Sequence, residues 1–179
     1  FSMAVLQVIR NFFVPSASRE FTVIEPAPPT TYSVHTLTDR DLDEVMRLNL
    51  RCFKDGENYT KHTFSYLLEQ PNALCYKVVT AESRIAGFLC VLVGSDGTGH
   101  ITTIGVAPEH RRRGLAERLL AHLDQALQER SIGSAVLEVR VSNHSAQNLY
   151  KTCGFSILQR LSNYYNDGED GFLMVKSLN

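Results

Sequence analysis

The sequence predicts an α/β (α+β) domain of seven strands and four helices. Three observations carry this. From Tyr32 onward, strand-like and helix-like segments follow one another in the order β-α-α-β-β-β-α-β-α-β-β, without internal repeats. The strand-like run from His100 to Val106 leads through a turn of three consecutive arginines into the most regular amphipathic stretch of the chain. The two last apolar segments flank Asn166-Asp-Gly-Glu-Asp170, a turn-rich tip that reads as a hairpin.

Each element has its own local signal. Tyr32–Leu37 reads as a first strand. Thr38-Asp-Arg-Asp41 supplies helix-capping residues, and Leu42, Val45, Met46, Leu48 and Leu50 follow at largely helical spacing until Lys54–Asn58 breaks the pattern. A second, short helix starts near Thr60 and ends before Pro71, with Phe64, Leu67 and Leu68 on one side. Leu74–Thr80 and Ile85–Val93 read as antiparallel strands joined by the turn Ala81–Arg84, and Ser95–Gly99 is a second turn. Arg113–Ser131 is the clearest helix: Leu115, Leu119, Leu123 and Leu127 recur every four residues, and Gly133 is the expected stop. Ala135–Val141 follows as a strand, then a helix over Asn143–Cys153 with Gly154 at its C′ position. Phe155–Tyr165 and Phe172–Leu178 complete the hairpin.

Composition narrows the class. The 179 residues suffice for one domain with a substantial core, and 44% hydrophobic with 21% charged residues is a globular balance. A net charge of -1 argues against a nucleic-acid partner, and no apolar run is long enough to span a membrane. The six histidines are scattered without ligand spacing, so no metal site is expected. Cys52, Cys75, Cys90 and Cys153 form no C-x-x-C pair and read as reduced thiols of a cytoplasmic protein. Residues 1–32, with the proline-rich Glu25–Thr31, read as an arm or linker, with Phe1-Ser2 an artificial addition ahead of Met3, and residues 33–179 as the domain.

The most informative stretch is His100-Ile-Thr-Thr-Ile-Gly-Val-Ala-Pro-Glu-His-Arg-Arg-Arg-Gly-Leu-Ala116. A helix start carries unpaired N–H groups and the positive end of the helix dipole, so three arginines there conflict unless an anion relieves them. The spacing is neither a dinucleotide fingerprint nor a P-loop, since no Gly-Lys-Ser/Thr follows. Arg111-x-x-Gly114-x-Ala116 resembles instead the acyl-coenzyme A signature of the GNAT acetyltransferases, and with the order of elements the resemblance implies the GNAT fold, a mixed, mostly antiparallel seven-stranded sheet with helices on both faces. The resemblance implies that Arg111, Arg112, Arg113, Gly114, Leu115 and Ala116 hold the pyrophosphate of acetyl-CoA, and that main-chain groups of Ile104 and Val106 hold its pantetheine arm.

A second motif, Leu137-Glu-Val-Arg-Val-Ser-Asn143 followed by Tyr150 and Gly154-Phe155, is similar to that of the RimI-type and Ard-type N-terminal protein acetyltransferases within that family. The likeness implies Glu138 as general base, Tyr150 as the proton donor to the leaving thiolate, and Asn143 as a contact to the cofactor arm. It also implies His100, at the end of the adjacent strand, as a second candidate for the amine proton. Arg140, two residues from Glu138, is an alternative partner for that carboxylate. A third motif, Asn163-Tyr-Tyr-Asn-Asp-Gly-Glu-Asp170, resembles the hairpin of the Ard type, and Glu57-Asn58-Tyr59 its opposite wall. Together they imply a groove in which Glu57, Tyr59, Tyr164 and Tyr165 receive a peptide N-terminus. Two features depart from the pattern: Phe53-Lys-Asp-Gly56 lacks the usual proline, and Glu138 follows the RimI type where the Ard type has histidine.

The resulting expectation is acetyl transfer from acetyl-CoA to the α-amine of a protein or peptide. An α-amine near pKa 8 is about 10% neutral at pH 7, against about 0.04% for a lysine near 10.4. The alternatives are a GNAT enzyme for a small amine, such as a polyamine or amino sugar, and a non-catalytic acyl-CoA-binding module. The sequence is compatible with action alone, as a dimer through the arm, or with an auxiliary subunit.

Overall fold

The computed structural model describes residues 24–53 and 58–178. The elements follow the expected order: β1 (Tyr32–Thr36), α1 (Leu42–Cys52), α2 (Lys61–Glu69), β2 (Ala73–Thr80), β3 (Ile85–Val93), β4 (Thr98–Val106), α3 (Leu115–Gln128), β5 (Ser134–Arg140), α4 (His144–Thr152), β6 (Ser156–Leu161) and β7 (Gly171–Ser177). The seven strands form one sheet in the order β1-β2-β3-β4-β5-β7-β6. Every neighbouring pair is antiparallel except β4 and β5. That one parallel junction follows from the α3 crossover, which returns the chain to the same end of the sheet.

The sheet separates two apolar layers. α1 and α2 contribute Val45, Leu48, Phe64 and Leu67 to one side, packed on Cys75, Phe88, Cys90 and Leu92. α3 contributes Leu115, Leu119, Leu123 and Leu127 to the other, packed on Leu89, Val91, Ile101 and Leu137, with Tyr150 of α4 in the same cluster. β3 is buried along almost its whole length because it lies mid-sheet with helices on both faces.

Several boundaries differ from expectation. Thr38 and Asp41 form a capping box as expected, but on a separate 3-10 turn, Asp39–Asp41, ahead of α1, and Leu50 is 55% exposed, off the buried stripe. α3 begins at Leu115, not Arg113, because Arg112 and Gly114 both adopt left-handed φ, 61° and 72°. It stops at Gln128, before Gly133: Ser131 takes φ 58° while the Ile132 N–H returns to the Leu127 carbonyl. β6 ends at Leu161, so Tyr164 and Tyr165 belong to the connection rather than to a strand. Asp170 is the reason: its carboxylate accepts from the Asn163 N–H and binds Arg160, closing the connection on itself. Gly154 sits at C′ of α4 with φ 92°, as expected.

Candidate active site

The site begins where the sheet comes apart. β4 pairs with β5 only through Thr98↔Ser134, Gly99↔Ala135 and His100↔Val136. Immediately beyond, β4 carries a bulge against β3: Ile101 opposes Val91 and Thr103 opposes Cys90, leaving Thr102 extra. The Thr102 hydroxyl donates to the Cys90 carbonyl. A bulge bends a strand and increases its twist, so β4 leaves β5, which continues along β7 as far as Arg140↔Gly171. The Ala107 N–H donates to Ala86 of β3; strand alternation therefore turns the main-chain groups of Ile104 and Val106 the other way, into the gap.

One pocket occupies this gap, lined on one side by Ile101–Ile104 and on the other by Leu137–Val139. Glu138 projects from β5, and its Oε2 lies 2.7 Å from His100 Nε2. The pair is nearly closed to solvent, with side-chain exposures of 10% and 2%. His100 thus stands behind Glu138 rather than on the pocket wall. Arg140 does not pair with Glu138; it reaches the carboxylates of Asp167 and Glu169 at 2.8 and 2.7 Å. Across the pocket, α4 presents Tyr150, 8% exposed and edge-on to Phe155. Asn143 caps α4, its side-chain oxygen accepting from the Ala146 N–H, and also lines the pocket.

The three arginines separate. Arg111 turns back, its Nε donating to the Val106 carbonyl and its Nη2 approaching that of Cys52. Arg113 donates to the carbonyls of Ala27 and Pro28 and to the Tyr32 hydroxyl. Arg112 is exposed. The expected cradle of three guanidiniums is therefore not formed by these side chains. What the turn offers an anion is main chain: the first N–H groups of α3, opened by the left-handed Gly114 and lying at the positive end of the helix. The side chain of Leu115 points the other way, into the core.

Two walls close the other end. Tyr59 is buried, and its hydroxyl donates to the Thr102 carbonyl at 2.7 Å. Its phenol is pushed far above its ordinary range, chiefly by burial, so it stays neutral. Asn49, buried in α1, holds the Tyr59 carbonyl at 3.1 Å. Glu57 lies outside the described residues. Opposite, Tyr164 and Tyr165 stand at 87° to each other, and the Arg140 guanidinium lies 4.0 Å over the Tyr165 ring. Glu169 also accepts from the Ser142 N–H, which ties this connection to the end of β5. The Ser142 and Arg140 partners hold the Glu169 carboxyl below its ordinary 4.5. The sign follows: the clamp is intact above that value and is lost as acid protonates Glu169.

Sequence reasoning missed Phe53, Thr102, Thr103 and Asn166, all of which line the pocket. It also missed Gln147, whose side chain binds the carbonyls of Arg140 and Val141. The adjacent threonines interrupting an apolar strand were the available sign of the bulge.

Comparison with known proteins places this geometry. The model of the Acetyltransferase (GNAT) family matches residues 42–155. A putative [ribosomal protein bS18]-alanine N-acetyltransferase of Bacillus subtilis is 34% identical over 84% of this chain and 98% of its own length. The N-alpha-acetyltransferase daf-31 of Caenorhabditis elegans is 35% identical, over 77% of this chain and 78% of that protein. The crystal structure of the ribosomal-protein-S18-alanine N-acetyltransferase from Escherichia coli superposes with a TM-score of 0.76 at 27% identity, over 83% of this chain and 95% of that one.

Proposed function

This chain belongs to the GNAT acetyltransferase family, and from that premise we propose that it transfers the acetyl group of acetyl-CoA to the N-terminal α-amine of a protein or peptide. The observation that carries this reading is a single pocket lined by Glu138, Tyr150 and both tyrosine walls, Tyr59 on one side and Tyr164 with Tyr165 on the other. An acceptor entering between aromatic walls meets a carboxylate at its amine and a phenol beyond it. A small amine has no need of two such walls.

In this reading acetyl-CoA is a substrate, its arm along Ile104 and Val106 near Asn143 and its pyrophosphate over Gly114–Ala116. Glu138 takes the amine proton, directly or through water, and the buried His100 fixes the carboxylate that does so. The amine nitrogen forms its bond to the acetyl carbon as the bond from that carbon to sulfur breaks. Main-chain N–H groups on the open edge of β4 hold the negative charge that develops on the carbonyl oxygen. Tyr150 shares its proton with the departing sulfur; a thiol near pKa 8.5 and a tyrosine near 10 are close enough for this.

Thiol release from acetyl-CoA, measured over peptides varied in their first two residues, tests the reading. Turnover is expected to vanish when the α-amine is blocked, and to fall about 10²-fold in Tyr150→Phe. Turnover of polyamines or amino sugars with none of peptides would overturn it. The Arg140 clamp adds a second expectation. Arg140→Gln frees the 162–170 connection that carries Tyr164 and Tyr165. It is expected to raise KM for a peptide about tenfold while coenzyme A affinity stays constant. The four cysteines are free thiols, which suits a cytoplasmic location. Among the described residues no helix is long and apolar enough to cross a membrane.

A further inference from the structure

The proline-rich segment ahead of β1 has no part in the chemistry above, yet it is bound to the turn that precedes α3. The Ala27 N–H donates to the Glu109 carbonyl at 2.9 Å. Arg113 returns the contact, donating to the carbonyls of Ala27 and Pro28 and, at 2.8 Å, to the Tyr32 hydroxyl. Having accepted from Arg113, that hydroxyl is left to donate to His110 Nδ1, also 2.8 Å away. The Tyr32 and His110 rings meet edge to face at 5.7 Å. Burial, opposed by Glu109 and assisted by Arg113, holds the His110 imidazole below its ordinary range, in keeping with a neutral ring that accepts.

The turn needs such support. Arg112 holds a left-handed φ of 61°, unfavourable for any residue but glycine, two residues before Gly114 at 72°. Arg113 also carries its charge near the positive end of α3, and the segment's carbonyls satisfy it.

We propose that residues 25–32 brace the cofactor turn: by holding Arg113 and Glu109, they keep Pro108–Gly114 in the conformation that presents the first N–H groups of α3 to the pyrophosphate. Arg113 and Tyr32 are then positioning residues that act through the turn. This rests on the reading of that turn as the coenzyme A site.

The test uses the full chain and coenzyme A as probe. Ala27→Pro deletes the N–H given to Glu109 and leaves the turn's own residues intact; Tyr32→Phe deletes the shared hydroxyl. Each is expected to weaken coenzyme A binding about three- to tenfold by calorimetry. KM for acetyl-CoA should rise by the same factor, with kcat, peptide KM and melting temperature unchanged. Combined with Arg113→Gln, Ala27→Pro should add little, because each removes a different hydrogen bond of one docked segment and the loss of either is expected to release it. Unchanged coenzyme A affinity in both single variants, or a fully additive double variant, overturns the brace. Wild-type protein that fails to bind coenzyme A would instead sink the cofactor reading, and the brace with it.

Discussion

Glu138→Gln is expected to lower kcat by about 10²- to 10³-fold while the protein still folds and still binds coenzyme A. Glutamine keeps the size of the side chain and an oxygen to accept from His100 Nε2, 2.7 Å away in the native pair. What it removes is the ability to take a proton. Single-turnover rates at saturating peptide, beside calorimetric titration with coenzyme A, separate the two. A variant with near-native kcat would place the proton acceptor elsewhere and reduce the buried pair to a structural role. Removal of one partner from a buried hydrogen-bonded pair also destabilises, and the amide isostere limits that confusion.

Phe64→Ala is expected to cost about 3–5 kcal/mol of stability, lowering the melting temperature by about 10 °C in a chain of this size. Phe64 is 0% exposed and meets Tyr59 and Phe88 edge to face at 5.7 and 5.6 Å. Its loss leaves a cavity in the layer between the sheet and α2. Because Tyr59 rests on that ring, peptide KM should rise as well, whereas coenzyme A affinity, set on the far side of the gap, should hold. Chemical denaturation gives the first quantity and initial rates the second. A cost below about 1 kcal/mol would mean that α2 closes over the cavity and that Tyr59 keeps its place without that ring.

Much of the architecture was legible because its signals are local. The four-residue spacing of Leu115, Leu119, Leu123 and Leu127 needs only its own helix to be read, and all four are buried. Gly154 marks the end of α4 because its φ of 92° is cheap only for glycine. The boundaries that were misplaced depended on specific hydrogen bonds that apolar periodicity does not show. Tyr164 and Tyr165 continue a strand-like pattern, and only the return of Asp170 onto Asn163 takes them out of the ladder. Ser131, rather than Gly133, stops α3 because the Ile132 N–H finds the Leu127 carbonyl.

By itself the sequence determined the order of elements, the family motifs, and the residue types at the pocket: a carboxylate on β5, a tyrosine on α4, and tyrosines just before α2 and just before the 166–170 tip. Only the tertiary structure decided which groups meet. His100 and Glu138 are 38 positions apart and become partners because the short parallel pairing sets His100 opposite Val136, one pleat from Glu138. Arg140, nearer in sequence, is drawn instead to Asp167 and Glu169, which β7 brings alongside β5. The arginine triplet looked like one cradle and is divided among β4, the solvent and the segment before β1. Periodicity and turn chemistry act over a few residues and can be read along the chain; which charges pair is settled by the register and crossover of strands, and that exists only once the sheet has formed.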